Sequence, residues 1–434
     1  MMRPGSRRRR SLSSPNYYYR FKVETIVAFF VPVYLFFTIT LYYKASKSKS
    51  KSLNSILLQV NLQGRKSDYP SSDPHFDNKT RSFLEITPFV CAEEVAKSVV
   101  NAQRRNGAIT AVTQMTADKL QRLTHLASHW VVDGGYISVA IYIPDEEMAE
   151  DTFKNLQLYF EENAALFKRV VAQLVVDKRP KGDYKKSGWR SPHEYPVNIL
   201  RNIALEKAPS DHIMYVDVDF IPSVDAHSHL VQQLSLMGAS MKKMALILPA
   251  FERKLSKHEK DSSSMESFLL PTNKADLLPF VTDVGVDSNA NEIIAPFHLE
   301  EFPPGHGPTQ FPKWFTASEP YQVDYVYQFE PYFVINKVGM PPFWEYFRGR
   351  YFNKFSWVGE LFLAGYSFYV DPSCFLIHIN HEYHEFQDSE ISNHQLQMMR
   401  EFDERFNGYL YEKYQRVLEQ KNRSSSSETR PSLG

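Results

Sequence analysis

Two acidic residues separated by one position, Asp217-Val218-Asp219, close an apolar run that begins at His212 (HIMYV). In an extended chain, residues i and i+2 share a face. Where the strand stops, with Pro222 close behind, both carboxylates can converge on one hard divalent cation. Oxygen ligands suit Mn2+ or Mg2+, and such an ion in turn holds a diphosphate. It would neutralise the charge that develops on a nucleoside-diphosphate leaving group. An isolated D-x-D is more often a solvated turn; here the apolar strand ahead of it favours the metal. A second apolar run, FLIHINH from Phe375 to His381, also ends in polar residues. The imidazole of His378 is a candidate third ligand, and a hydrogen-bonded core histidine is the plainer alternative. His381 and His384 extend an H-x-x-H-x-x-H spacing. The strand-like run ahead of it does not set three imidazoles on one helix face, which argues against a separate zinc site there.

Two further acids could move a proton. In YFNKFSWVGELFLA, residues 351–364, helical spacing gathers Tyr351, Phe355, Val358 and Phe362 into an arc of about 60°. Trp357 and Glu360 fall opposite and are expected to face outward together. An aromatic ring stacks on the C–H face of a sugar while the neighbouring acid takes a hydroxyl proton. An ordinary amphipathic helix with a solvated Glu gives the same pattern. Glu330, in QFEPY, offers a second acid at the start of another strand.

The elements that must position these residues alternate. AITAVTQM, YISVAIYI, RVVAQLVV, HIMYV and MALILPAF read as apolar strands. Between them, helices are expected over 116–130, over 145–167, from Pro196 and from Val224. Such alternation predicts an α/β domain with a single, mostly parallel, doubly wound sheet, whose ligands bind at the carboxyl ends of the strands. The stretch 255–308 reads as an irregular excursion over that active face. The chain carries 50 Lys+Arg against 50 Asp+Glu, so its formal net charge is zero, which argues against a nucleic-acid partner. With 43% hydrophobic and 23% charged residues the chain is not of disordered composition. Two cysteines, Cys91 and Cys374, exclude a disulfide scaffold and multi-cysteine zinc modules; a single bridge between them stays open.

An uncharged run, TIVAFFVPVYLFFTITLYY, begins at Thr25 and ends at Tyr43. At 1.5 Å per residue it would span about 28 Å, close to the hydrocarbon thickness of a bilayer. Basic residues are denser before it than after it, which predicts a cytosolic N-terminus and a lumenal remainder. A cleaved signal peptide is disfavoured by the length of the run and the lack of an A-x-A site. The expected organisation is a cytosolic tail (1–22), a signal anchor (23–43), a Lys/Ser-rich stem (44–105), a catalytic domain (106–420) and a disordered tail (421–434). In a secretory lumen the sequons at Asn78 and Asn422 become usable.

The ordered series YPVNILRN, YVDVDFIPS, LPAFE, GHGPTQFPKW, FEPYFV, FNKFSWVGEL and FLIHINH resembles glycosyltransferase family 49. The resemblance implies a GT-A fold, a type II Golgi membrane topology and Mn2+-dependent transfer of glucuronic acid from UDP-glucuronic acid to a xylose-terminated glycan. It implies that Asp217 and Asp219 are the metal and diphosphate motif and that His378 is a further metal ligand. It also implies that Asn198, Arg201 and Asn202 line the nucleotide side, and that His306, Thr309, Lys313 and Trp314 form a donor or acceptor loop. Lys313 or Lys354 would pair with the carboxylate of the donor. Departures from the family pattern are Gln310, where the family has Asn, and Tyr351-Phe352, in place of a Gly-aromatic pair. The rival readings are the same fold using UDP-xylose or UDP-N-acetylglucosamine, a catalytically silent Golgi scaffold or lectin-like protein, and a metal-dependent hydrolase.

Overall fold

The computed structural model describes residues 73–90, 108–179, 194–238, 243–254, 270–281, 293–379 and 388–415. The apolar run at 25–43, most of the expected stem, Cys91, His381, His384, Asn422 and the tail lie outside the described residues. Among the described residues no helix is long and apolar enough to cross a membrane.

Thirteen strands are used below: β1 Leu84–Val90, β2 Ile109–Thr116, β3 Tyr136–Ile143, β4 Val170–Asp177, β5 His212–Tyr215, β6 Phe220–Pro222, β7 Met244–Leu248, β8 Ala250–Lys254, β9 Ile293–Pro296, β10 Tyr321–Val323, β11 Tyr332–Asn336, β12 Ser367–Val370 and β13 Leu376–His378. Nine form one sheet in the order β1-β4-β3-β2-β5-β11-β7-β12-β10, and a four-stranded sheet runs β6-β13-β8-β9. The core of the first is parallel: β2 pairs with β3 and β5, and β3 with β4. Every residue of β3 is buried, as expected of a strand covered on both faces.

The fold is α/β, but the expectation of one mostly parallel sheet is corrected in two ways. First, β1, β10 and β11 all pair antiparallel, so half of the pairings in the large sheet are antiparallel. Second, MALILPAF is not one strand. Pro249 lacks the N–H that a continuing ladder needs, and the chain turns there from β7 in the first sheet to β8 in the second. The stretch 255–308 is likewise less irregular than expected, because β9 adds to β8 as an edge strand. Residues 73–90, read above as stem, form part of the fold: β1 lies along β4, and His75, Asp77 and Thr80 are buried. Their short, polar sequence hides this because the apolar partners lie far along the chain.

Helices cover the large sheet where the periodicity placed them, at Leu120–Trp130, Ala149–Glu162, Val197–Lys207 and Ala226–Met237. The second ends earlier than expected, and Asn163 separates it from a short turn at Ala164–Phe167. Trp130 is wholly buried and its indole donates to the Tyr136 carbonyl at 2.9 Å. A Cβ at Gly135 would run into that indole, so the close approach requires glycine there.

Candidate active site

The antiparallel insertion of β11 beside β5 builds the site. Phe333 lies opposite Tyr215, so the beginning of β11 meets the end of β5, where the D-x-D follows. In the second sheet His378 lies opposite Phe220, and Ile379 N–H donates to the Asp219 carbonyl at 2.7 Å. Strand pairing thus gathers Asp217, Asp219, Tyr332, Glu330 and His378 from three separate stretches of sequence.

Asp217 is held by cations. Its Oδ2 accepts from Lys354 Nζ at 2.6 Å and from the Tyr332 hydroxyl at 2.9 Å. Its Oδ1 faces Arg201 at 3.3 Å. Burial alone would push this carboxyl up; Lys354 and Arg201 outweigh it and hold it below the usual range. Reciprocally, burial would strip Lys354 of its proton, but Asp217 keeps its ammonium well above the ordinary value. Arg201 is itself oriented by Asn198 Oδ1 at 2.9 Å and Asn353 Oδ1 at 3.1 Å. Asp219 Oδ2 lies 3.5 Å from His378 Nε2 and 3.8 Å from Arg122. The His378 ring is packed against Phe220 and Phe297, with centroids at 5.0 and 4.9 Å.

Glu330 belongs to the same charge cluster. Burial raises its pKa, and Lys354, Arg201 and Asp217 are the charges it feels next. Its N–H donates to the Gly305 carbonyl at 2.9 Å, which puts His306 alongside. His306 is buried, and burial, with Lys354 and His298 nearby, pushes its pKa down to about 3. It is therefore neutral at physiological pH. Glu330 is thus a carboxyl of raised pKa set beside Lys354 and Arg201, with His306 as a neutral neighbour.

Glu360 lies elsewhere. It was expected to face outward with Trp357, and both are buried. Trp357 stacks on Phe343 with centroids 4.0 Å apart and donates its indole N–H to the Pro341 carbonyl, so it is core and no sugar platform. The Phe355–Leu363 helix is covered on the face that the hydrophobic wheel leaves polar, because residues from both ends of the chain pack there. Glu360 accepts from His75 at 2.8 Å and from Tyr409, Lys413 and Tyr414 at 3.1 Å each. This carboxylate is committed to protein donors.

The remaining expected site residues divide. Arg201, Lys354 and His306 join the cluster. Asn202 instead binds the 343–353 segment, and Asn198 binds that segment as well as Arg201. Asn198 donates to the Trp344 and Asn353 carbonyls. Asn202 donates to the Phe343 carbonyl and Glu345 and accepts from Phe343 N–H. These two act by shaping the loop that carries Lys354. Trp314 is wholly buried and donates to the Asp371 carbonyl at 2.8 Å. Lys313 is exposed over the Tyr321 ring, and the buried Thr309 accepts from the Tyr321 hydroxyl through its carbonyl. No contact brings these three to the D-x-D in the described structure. Tyr332 and Arg122 were missed. Tyr332 follows Pro331 in the quoted FEPYFV motif and might have been found from it, whereas nothing in the sequence around Arg122 marks it.

The donor set suits a hard divalent ion: two carboxylates and one imidazole, with Asp219 Oδ2 and His378 Nε2 3.5 Å apart. Asp217 is meanwhile satisfied by Lys354. Among the described residues, two trios bring ligand atoms within 4.8 Å of one another, Glu252-His298-Glu301 and His229-Asp371-Cys374, and Asp217-Asp219-His378 is not one of them. The first abuts the site, since Glu252 lies opposite His378 in the β8–β13 pairing.

A family model described as "Glycosyl-transferase for dystroglycan" matches residues 177–415, more than half of the chain. Over 294 residues the chain is 27% identical to the glycosyltransferase-like protein gnt14 of Dictyostelium discoideum, covering 67% of this chain and 40% of that protein. It is 32% identical over 273 residues to the xylosyl- and glucuronyltransferase LARGE2s of Gallus gallus, covering 63% and 32%. With the xylosyl- and glucuronyltransferase LARGE1 of Mus musculus it shares 30% identity over 277 residues, covering 64% and 32%. The matched regions thus span between a third and two fifths of the length of these relatives. A crystal structure of GalNAc-T7 with UDP, GalNAc and Mn2+ overlaps 75% of this chain and 59% of that one, at a TM-score of 0.38 and 10% identity, too slight a likeness to bear on the chemistry. The matched stretch contains the D-x-D, Glu330, Lys354 and His378, and on that match the chain belongs to glycosyltransferase family 49.

Proposed function

We propose that this chain is an inverting, GT-A-type glycosyltransferase that moves glucuronic acid from UDP-glucuronic acid to a xylose-terminated glycan. We place it in the Golgi membrane as a type II protein anchored by residues 25–43, with the acceptor carried on a glycoprotein. The single observation that carries the reading is the charge arrangement at the end of β5: Asp217 under Lys354 and Arg201, with Asp219 beside His378. A site that alternates acids and fixed cations is suited to a metal-bound diphosphate. The names of the relatives, xylosyl- and glucuronyltransferases, support the sugar class.

Asp219 and His378, joined by Asp217, would hold Mn2+ or Mg2+; when bound, the ion supplies charge neutralisation for the departing diphosphate. Lys354 and Arg201 bind phosphate oxygens or the carboxylate of the donor, because both are protonated cations, Lys354 partly exposed and Arg201 buried. Glu330 takes the acceptor hydroxyl proton as the acceptor oxygen bonds to the anomeric carbon and the carbon–oxygen bond to UDP breaks, with the electron pair leaving on UDP. Its raised pKa keeps it a competent acceptor near neutrality. Glu360 is left to hold the helix beneath.

The test is a panel of UDP-sugars with the purified full chain, a xylosyl acceptor and Mn2+. Transfer from UDP-glucuronic acid is expected. Transfer from UDP-xylose or UDP-N-acetylglucosamine alone would replace the donor and keep the site. No UDP binding with Mn2+ present would overturn the reading and leave a silent scaffold.

A further inference from the structure

Three residues of different chemistry meet at the far end of β12. Asp371 directly follows β12, Cys374 lies three residues on, and His229 projects from the first turn of the Ala226–Met237 helix. Asp371 and Cys374 are buried, at 0% and 3% exposure, while the His229 side chain is 29% exposed. The ligand atoms of all three lie within 4.8 Å of one another. We propose that His229, Asp371 and Cys374 form a second, structural metal site for Zn2+ or a similar borderline divalent ion, with water completing a tetrahedron on the exposed side of His229.

The geometry carries the argument. Asp371 Oδ1 is already used, accepting from Ser373 N–H at 2.9 Å and Cys374 N–H at 2.6 Å. Its Oδ2 is fully buried, and what faces it is Nε2 of His229, whose pKa Asp371 raises, together with the Cys374 thiol; neither Oδ2 nor His229 Nε2 makes a well-formed hydrogen bond. The two atoms face each other at 3.4 Å. That is long for an N–H···O bond. It matches the edge of a tetrahedron built with Zn–N and Zn–O bonds of about 2.0–2.1 Å, which is about 3.4 Å. A buried carboxylate oxygen, an imidazole nitrogen and a thiol are the mixed N, O and S donors that Zn2+ accepts and that Mg2+ or Ca2+ avoid. The two backbone donors on Oδ1 fix the Asp371 carboxylate in place, as outer partners of metal-binding carboxylates do.

Burial and the Asp371 charge push the Cys374 thiol well above its ordinary pKa. Metal entry would release that proton to water and leave a thiolate. The site would tie the Ala226–Met237 helix to the Asp371–Phe375 link that leads into β13. That link is already anchored, with Ser223 N–H donating to the Phe375 carbonyl and Trp314 donating to the Asp371 carbonyl. Because β13 carries His378, a metal here would steady one wall of the D-x-D site without touching it. The inference does not depend on the donor sugar or on transferase activity.

The test is Co2+ titration of the chelator-stripped full-length chain, followed by absorption spectroscopy. One equivalent should give tetrahedral d–d bands and a thiolate-to-metal charge-transfer band in the near ultraviolet, displaced by Zn2+. The charge-transfer band should persist when Asp217→Asn and Asp219→Asn are combined, which separates this site from the D-x-D. It should be lost in Cys374→Ser, and the d–d bands should be lost or shifted in His229→Gln. If Cys374→Ser fails to fold, His229→Gln decides alone, since that side chain is partly exposed. A wild-type spectrum without the charge-transfer band overturns the proposal. So does a band that survives Cys374→Ser, or a spectrum unchanged in His229→Gln.

Discussion

Glu360 and Asp217 are both sheltered carboxylates bound by a lysine and a tyrosine, yet their surroundings differ in kind. Glu360 sits at 1% exposure with four donors from both ends of the chain, His75, Tyr409, Lys413 and Tyr414. Asp217, at 18%, sits at a strand end where Lys354 and Arg201 are also partly turned to other acids and amides. The backbone differs as well. Glu360 lies inside a regular helix. Of the non-glycine residues at positive φ, His298, Gln310, Gln328, Tyr351 and Phe352 lie within eight residues of His306, Glu330 or Lys354. Strained backbone gathers at sites that bind or react, because elsewhere nothing repays its cost. A buried charge with all its acceptors filled by protein is a fastener. One shared between two cations at a partly exposed, strained rim can exchange its partners for a ligand.

Substitution separates the two directly. Asp217→Asn should lower transfer by on the order of 10²–10³-fold, as loss of a charge-stabilising group does, while the far-ultraviolet circular dichroism stays that of the wild type. Glu330→Gln should lower turnover by about 10²–10⁴-fold with UDP affinity retained and stability unchanged or raised, because burial already favours its neutral form. Glu360→Gln should do the reverse. Removing one partner from a buried, hydrogen-bonded charge network costs about 3–5 kcal/mol, read as a lower denaturation midpoint, with the rate of the folded fraction near wild type. If Glu360→Gln instead loses turnover at full stability, the roles assigned to the two acids are exchanged.

That division could not be read from the chain alone, and the reason is instructive. The D-x-D was legible because its signal is local: an apolar strand, two acids at i and i+2, a proline. The helices and the parallel strands β2 to β5 were legible for the same reason, since their periodicity lies within single segments. What single segments did not carry were features fixed by pairing at long range, although the resemblance places His378 with the D-x-D. The antiparallel β11 brings Tyr332 and Glu330 to Asp217. Pro249 sends β8 into a second sheet. His75 reaches Glu360 across 285 positions. A helical wheel marks Glu360 and Trp357 as solvent-facing because it cannot know that His75, Tyr409 and Tyr414 close over the first and Phe333 and Phe343 over the second. The family resemblance placed Asn198 and Asn202 on the nucleotide side; the structure ties both to the segment that leads to Lys354, and ties Asn198 to Arg201 as well.

Two histidines give the comparison opposite pH signatures. Burial would lower the His75 pKa, but Asp73 and Glu360 outweigh it and raise it above the ordinary 6.5. Its contribution is therefore complete below pH 6.5 and fades as pH rises through the raised folded value. For His306 the folded pKa is depressed to about 3 by burial. Its neutral form is favoured, so its contribution is present above pH 6.5 and is lost as pH falls from there toward 3. At about 1.4 kcal/mol per pKa unit, the acid loss is on the order of a few kcal/mol. Denaturant titrations across pH should show His306→Gln flattening the acid limb and His75→Gln flattening the alkaline one. The opposite pairing of variant and limb would refute the reading of both environments.

The strained rim gives the smallest test. Gln310 holds φ 58° and ψ 57° as the residue before the Phe311–Thr316 helix, and its carbonyl accepts from Lys313 and Trp314 N–H at 2.9 and 3.1 Å. Left-handed backbone costs a side chain roughly 1–2 kcal/mol, and asparagine is the residue that escapes most of it by bonding locally. Asparagine also caps a helix start better than glutamine. Gln310→Asn, which restores the family pattern, should therefore gain about 0.5–1 kcal/mol and raise Tm by about 1–2 °C. Tyr351 shares the strain at φ 70°, but Tyr351→Gly also gives up the ring contact with His394 at 6.2 Å and frees the unfolded chain, so its net change should be close to zero. A gain at 310 without one at 351 assigns the cost at the rim to backbone conformation. Equal losses at both would mean that these side chains are held by contacts, and the contrast with the regular helix under Glu360 would lose its physical basis.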